Sequence, residues 1–248
     1  MSGLSFVAFI PARYAATRFP GKLMQLLGAK TIIRHVYDNT LETGLFKEVV
    51  VVTDSEIIYK EITSHGGKAI MSRKEHESGS DRIAEVIEGM DTDIIVNVQG
   101  DEPFIQREPL EKLIRLFDDP SVQVASLMRK ISKEEAANPN NVKVVVDKNN
   151  NALYFSRSVI PFDRSGEANY FLHVGVYAYR KDVLLSFTQW PTSLLEQTER
   201  LEQLRYLENG VKIKMAETDY VNIAIDTPED LERAREIFIT HSSLPPTR

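Results

Sequence analysis

The sequence predicts a three-layer α/β fold with a mostly parallel mixed sheet and an antiparallel elaboration in its second half. Three observations carry this. Short β-branched runs alternate with segments of helical apolar spacing through the first half. Those runs are continuously apolar, as strands covered on both faces are. After about residue 125 the alternation gives way to a hairpin pattern.

Taken in order, Phe6 to Ile10, Val49 to Thr53, Ala69 to Met71 and Ile94 to Val98 read as buried strands. Between them, Ile32 to Thr43, Glu56 to His65 and Asp81 to Met90 place apolar residues at helical spacing, which completes a βαβ succession. In "VKVVVDKNNNALYFSR", Val142 to Arg157, two β-rich runs flank Lys148 to Asn151, the signature of a hairpin. "FLHVGVYAYR", Phe171 to Arg180, predicts another strand, and Ser193 to Asn209 predicts one helix ended by Gly210. "DTPEDLERAREIF" opens the last helix with Asp226-Thr227-Pro228 and acidic first-turn residues. No repeat or low-complexity linker interrupts the chain, which predicts a single domain. Within it, about 1–125 and about 126–220 form two halves, and 221–241 a closing strand and helix. The tail from Ser242, with two prolines, reads as loose.

The composition narrows the function. With 248 residues and 42% hydrophobic content the chain can bury a large core. A net charge of -6 lacks the broad basic face that gripping nucleic acid requires, so any anion site must be local. There is no cysteine, which excludes thiolate chemistry and cysteine-based metal sites and fits a cytoplasmic location. Neither a signal peptide at Met1 to Phe6 nor a bilayer-length apolar run is present, so no membrane insertion is expected.

A local anion site is present in "FIPARYAATRFPGK", Phe9 to Lys22. Ligands of parallel sheets gather beyond the carboxyl ends of the strands, where Pro11 to Lys22 lies. Arg13 and Arg18 offer guanidinium forks, Lys22 a point charge, and Gly21 lets backbone approach a ligand. This is the chemistry of a polyphosphate cradle, without the glycine and Lys-Ser/Thr pattern of a P-loop or the GxGxxG of a dinucleotide fingerprint. The next strand runs into "NVQGDEP", which puts Gln99, Gly100, Asp101 and Glu102 on the same rim. A carboxylate beside phosphates is repulsive unless a divalent ion lies between them, so Asp101 is a candidate Mg2+ ligand. Asp226 is either a helix cap, a role it shares with Thr227, or a second ligand. In "HESGSDR", His76 to Arg82, small polar residues fit a base edge or sugar hydroxyl, and Ser80 equally fits a helix cap. Asp54 reads as a cap. His173 points away from Val174 and Val176 and serves either as a structural histidine or as a substrate contact. Glu202 and Gln203 stand in what otherwise reads as the solvated face of a helix.

Seven segments in this order, "PARYAATRFPGK", "ESGSDR", "NVQGDEP", "YFSRSVIPFDR", "HVGVYAYR", "LEQLR" and "DTPEDLE", closely resemble the 3-deoxy-manno-octulosonate (Kdo) cytidylyltransferase family. The resemblance implies a Rossmann-like nucleotidyltransferase fold, a homodimer and Mg2+. It also implies the reaction of CTP with Kdo to give CMP-Kdo and pyrophosphate, for lipopolysaccharide synthesis. By position it assigns Arg18, Lys22, Asp101 and Asp226 to catalysis, with the two aspartates as metal ligands. Pro11, Ala12, Arg13, Arg18, Lys22, Ser78, Gly79, Ser80, Arg82 and Gly100 fall to the nucleotide. Gln99, Arg157, Arg164, His173, Tyr177, Glu202 and Gln203 fall to the sugar acid, where arginine suits its carboxylate. Leu23-Met24 stand where the family usually has Pro-Leu, and Ala178 where glycine is common. An 8-amino derivative of Kdo, another acceptor or a sugar 1-phosphate is the alternative substrate.

Overall fold

The computed structural model describes residues 3–15, 18–76 and 78–242. Of the tail expected to be loose from Ser242 onward, Ser242 is the last residue of a helix and 243–248 lie outside the described residues. The chain divides into two compact units, each entered more than once. Mixed α/β architecture is found in both.

The first unit contains Val7–Gly89, residues 97–106 and the segment from Asn222 onward. Its sheet is built from β1 (Phe6–Ala12), β4 (Glu48–Thr53) and β5 (Ala69–Met71), with β2 (Leu26–Leu27) and β3 (Lys30–Thr31) as a small separate ribbon. β1 pairs in parallel with β4, from Val7 opposite Glu48 to Ala12 opposite Thr53, and β4 pairs in parallel with β5. Phe9, Ile10 and Val50 to Val52 are fully buried, as the unbroken apolar runs require. α1 (Ile32–Glu42) is capped by Thr31 and α2 (Glu56–Thr63) by Ser55, while Ile33, Val36, Ile58 and Ile62 face the core. Asp54 is therefore not the cap expected of it; the next residue takes that role. α3 (Gly79–Ile87) begins two residues earlier than expected. Ser78 caps it through the Asp81 amide, and Ser80 lies inside the helix.

The second unit contains Met90–Val96 and Arg107–Val221. It holds β6 (Ile94–Asn97, whose last residue belongs to the first unit), α4 (Arg107–Arg115), β7 (Val124–Ile131), α5 (Lys133–Ala137), β8 (Lys143–Val146) and β9 (Ala152–Ser156). β10 (Tyr170–Arg180), α6 (Lys181–Phe187), α7 (Leu194–Glu199), α8 (Gln203–Glu208) and β11 (Ile213–Glu217) follow. The strand order is β11-β7-β10-β6. β10 is antiparallel to β7, β11 is parallel to it, and β8 and β9 form the expected hairpin, with Asn150 left-handed in its turn. Between Val174 opposite Leu127 and Tyr177 opposite Ser126, β10 carries a bulge.

The single helix expected over Ser193 to Asn209 is two. Arg200 takes φ 56°, a left-handed conformation that ends α7, and Leu201 turns inward, its amide bonded to Glu196 O. Apolar periodicity continues across this break, so the pattern alone does not reveal it. α9 (Pro228–Ser242) closes the first unit. The strand expected before it is absent: residues 221–226 have no regular secondary structure, and Ile225 N donates to Asp101 O instead of joining a ladder. Among the described residues no helix is long and apolar enough to cross a membrane.

Two packing details follow from single residues. Pro11 at the end of β1 is gripped by two glycines. A Cβ on Gly100 would stand 3.0 Å from Pro11 O, and one on Gly79 3.0 Å from Pro11 Cγ. Lys143 is completely buried, and among the described residues no carboxylate meets its ammonium, which donates to Asn138 O (3.1 Å), Asn141 O (2.6 Å) and Arg157 O (2.6 Å). Burial, and then the Arg157 charge, lower its pKa, with Glu199 opposing.

Gly100→Ala is expected to destabilise the protein by about 1–3 kcal/mol, because a backbone oxygen must give way. A lowered urea midpoint with unchanged slope would show this. Lys143→Met strands three carbonyls and is expected to cost about 2 kcal/mol. A midpoint equal to that of the parent protein would contradict the role given to the ammonium.

Candidate active site

The loop after β1 folds back on itself. Gly21 takes φ 68°, its amide donates to Tyr14 O, and the chain is thereby returned so that Lys22 points inward. The Lys22 side chain is 12% exposed, whereas Arg18 is 70% exposed and Arg13 lies at the surface.

Two other segments of the first unit bring acids to this lysine. Val98 N donates to Phe9 O, which ties the stretch after β6 alongside β1 and carries Asp101 to its end. The bond from Ile225 N to Asp101 O then holds the segment before α9 against Asp101. Asp226 is left free of capping work. Thr227 caps α9 through the Asp230 amide, and Asp230 returns its carboxylate to the amides of Asp226 and Thr227. The choice that the sequence leaves open between Asp226 and Thr227 as cap therefore falls to Thr227.

The result is a four-residue cluster. Lys22 Nζ donates to Asp101 Oδ2 at 2.6 Å and to Asp226 Oδ1 at 2.8 Å, and Arg18 donates to Asp226 Oδ2 at 2.9 Å. Burial pulls the Lys22 pKa down, but Asp101 and Asp226 together outweigh it and hold it above the ordinary value. Glu102 does not add a third negative charge. Burial first, then the Asp101 charge, push its pKa to about 8 against a hydrogen bond from Asn222, so it is protonated at neutral pH. Two hard carboxylate oxygens thus converge on one positive nitrogen, and a single cation can meet both. This donor set fits Mg2+, which takes one or two carboxylates and completes its shell with phosphate oxygens and water.

The remaining nucleotide candidates are near the end of β1. Pro11 and Ala12 are its last residues, with Gly79 and Gly100 packed against Pro11. Ser78 is committed to its cap and Ser80 is buried. Arg82 is buried and internally engaged, donating to Asp54 at 2.6 Å and to Ser72 Oγ at 3.0 Å. Its side chain therefore braces the loop that α3 follows; Asp54, read from sequence as a cap, is its partner.

In the second unit, the sugar candidates gather in part. His173 and Tyr177 share a face of β10 with ring centroids 5.2 Å apart, and Phe155 of β9 meets His173 edge-on at 5.1 Å. Burial alone lowers the His173 pKa to about 4. Tyr177 stacks on Tyr179, and Glu202 bears electrostatically on both Tyr177 and Tyr206. Gln203 is buried with Nε2 unpartnered among the described residues, as is the Tyr206 hydroxyl. Arg157 is fixed from several sides: its amide donates to the Glu199 carboxylate and its Nε to Glu199 O at 2.9 Å. That carbonyl is available because α7 stops at Glu199 and does not run on into α8. Arg164 is exposed, and Gln99 belongs to the first unit. Ser126, Lys143 and Tyr206 also belong to the surroundings, and sequence reasoning missed them. Ser126 acts on partners 47 to 50 residues away and Lys143 on carbonyls that the chain brings round it, and a serine or lysine within a strand pattern carries no signal of that.

Residues 7–213 match the model of a family described as cytidylyltransferase. The 3-deoxy-manno-octulosonate cytidylyltransferase of Flavobacterium johnsoniae is 59% identical over 241 residues, covering 95% of this chain and 99% of that protein. The enzyme of the same name from Christiangramia forsetii is 52% identical over 94% of this chain and 96% of its own. A solved structure of CMP:2-keto-3-deoxy-manno-octonic acid synthetase complexed with CTP superposes with a TM-score of 0.93 at 44% identity, over 96% of this chain and 99% of that one. With near full-length identity at this level and the motifs of "PARYAATRFPGK" and "NVQGDEP" folded into one acid and cation cluster, the chain belongs to the 3-deoxy-manno-octulosonate cytidylyltransferase family of cytidylyltransferases.

Proposed function

We propose that the protein activates Kdo, joining it to the cytidylyl group of CTP with release of pyrophosphate. The observation that carries this reading is Lys22 Nζ bonded at once to Asp101 and Asp226, in a chain 59% identical to a protein named for that reaction. Arg13, Arg18 and Lys22 bind the triphosphate. Pro11, Ala12, Gly79 and Gly100 admit the nucleotide to bare backbone beside β1. Arg157 faces the sugar carboxylate, and His173, Tyr177, Glu202 and Gln203 order its hydroxyls, with Gln99 and Arg164 as further contacts.

In the reaction the anomeric hydroxyl gives up its proton to solvent as its oxygen forms a bond to the α-phosphorus, the bond from that phosphorus to the bridging oxygen breaks, and pyrophosphate leaves. Positioning and charge neutralisation supply most of the acceleration in such a step. Arg18 and Lys22 stabilise the charge that grows on the leaving group, since both are fixed in place before it appears. Asp101 and Asp226 would hold Mg2+, which would supply neutralisation of phosphate charge and acidification of the attacking hydroxyl. Because the acids and the ammonium already satisfy one another, binding exchanges partners without baring a buried charge.

A homodimer in the cytoplasm, serving lipopolysaccharide synthesis, completes the reading. Leu153, Phe162 and Leu194 of the second unit are 61%, 88% and 74% exposed, apolar surface that a second copy would cover.

Pyrophosphate release from CTP measured with Kdo, 8-amino-Kdo and N-acetylneuraminic acid in parallel tests the assignment; turnover with Kdo is expected to dominate, and release with none of the three would refute it. Asp101→Asn and Asp226→Asn are each expected to lower kcat by about 100-fold or more with the fold intact by circular dichroism. Lys22→Met is expected to raise KM for CTP by about tenfold or more while KM for Kdo stays close to that of the parent enzyme. Unchanged CTP kinetics would remove Lys22 from the phosphate site.

A further inference from the structure

The bulge in β10 surrounds one hydroxyl. Ser126 is completely buried, and its Oγ lies 2.9 Å from Val176 O, 3.2 Å from Val174 O and 3.1 Å from His173 Nε2. A serine hydroxyl has one proton to give and lone pairs to receive with. Two of its three neighbours are carbonyl oxygens, which carry no proton and only accept. The Ser126 proton must therefore point at this carbonyl pair, for otherwise its lone pairs would face both oxygens in a buried site. The third neighbour then meets a lone pair, and a ring nitrogen meeting a lone pair has to bring its own hydrogen.

We infer that Ser126 is a positioning residue that locks neutral His173 as the Nε2–H tautomer and leaves Nδ1 as a hydrogen-bond acceptor for a hydroxyl of the sugar acid. The assignment of one imidazole nitrogen by the bond the other makes is the general way in which proteins fix this side chain. Nδ1 has no hydrogen-bond partner among the described residues. Phe155 and Tyr177 wedge the ring edge-on and tilted, so it cannot swing to exchange its nitrogens without displacing them. The groups around it from the packed strands are Ser126 of β7, Phe155 of β9 and Tyr177 of β10, none of them charged at neutral pH. Burial keeps the imidazole unprotonated down to about pH 4, so tautomer and not charge is what the site controls. The bulge is what makes this possible, since it turns the carbonyls of both Val174 and Val176 toward one side chain of β7.

The inference rests on the sugar-site reading given above. It is tested on the full-length enzyme labelled with 15N, using long-range proton–nitrogen correlation of the imidazoles. His173 is assigned by the resonance that vanishes in His173→Asn. A protonated, pyrrole-like Nε2 and a pyridine-like Nδ1, unchanged between pH 8 and 5.5, are expected in the parent protein. Ser126→Ala is expected to shift His173 toward the other tautomer and to raise KM for Kdo on the order of fivefold, with KM for CTP within about twofold. A protonated Nδ1 in the parent protein, which needs no variant that might fail to fold, would overturn the inference. So would a Ser126→Ala spectrum with the tautomer unmoved, or a moved tautomer with unaltered KM for Kdo. If His173→Asn itself leaves the Kdo kinetics untouched, the sugar-site reading fails, and with it the acceptor role.

Discussion

One ammonium group holds together two carboxylates that the chain supplies from 79 and 204 residues away. Two like charges about 4 Å apart in a partly buried setting repel by about 4 kcal/mol. Asp101 and Asp226 can share a site only if something positive stands between them. Lys22 meets that requirement, and the surrounding chain is arranged to keep it there. Gly21 reverses the loop, Thr227 relieves Asp226 of capping, and the Ile225 amide fastens one acid-bearing segment to the other. A site of this kind is neutral overall while every member stays charged. That suits the handling of a polyphosphate, whose own charges must be met one by one without leaving a buried ion alone.

The second unit solves a different problem. Many of its polar groups are buried beside aromatic rings, and neutral hydrogen bonds organise them together with paired charges such as Arg205 and Glu196. Ser126, His173 and Tyr177 are arranged around a strand irregularity, Lys143 is solvated by three peptide carbonyls, and Arg157 is held by the side chain and main chain of one residue, Glu199. Gln203 and Tyr206 retain unmet bonding capacity within this setting. In a protein interior such capacity is costly unless a ligand fulfils it, because the group has given up water and received nothing. The first unit thus gathers its charges into one cluster, whereas the second sets its charged side chains among oriented neutral dipoles.

Much of this was legible in the sequence where local pattern and long-range geometry coincide. β1, β4, β10, α1 and α9 announce themselves through unbroken apolar runs, alternation or capping residues, and the cations of Arg13 to Lys22 stand out because a mere turn does not need them. The misses are equally physical. Ser78 and Ser80 differ by two positions in a run of small polar residues, and only the backbone decides which one caps. Asp54 looked like a cap because it precedes a helix, yet Arg82, 28 residues on, claims its carboxylate. The break at Arg200 was hidden because buried Leu201 and Leu204 keep the apolar rhythm going across it. Ser126 gave no sign at all, since its importance comes from a slip in pairing that no residue type encodes.

That break has a bearing on attempts to engineer the protein. An arginine in a left-handed conformation is an obvious target for improvement, and residues that favour an uninterrupted helix through position 200 would be the intuitive choice. Continuity, however, would direct the Glu199 carbonyl into the helix's own hydrogen-bond ladder and take it from the Arg157 side chain. The local strain is therefore the condition for a free acceptor at the right spot, and thermostabilised variants selected for helicity here would be expected to lose grip on whatever Arg157 holds.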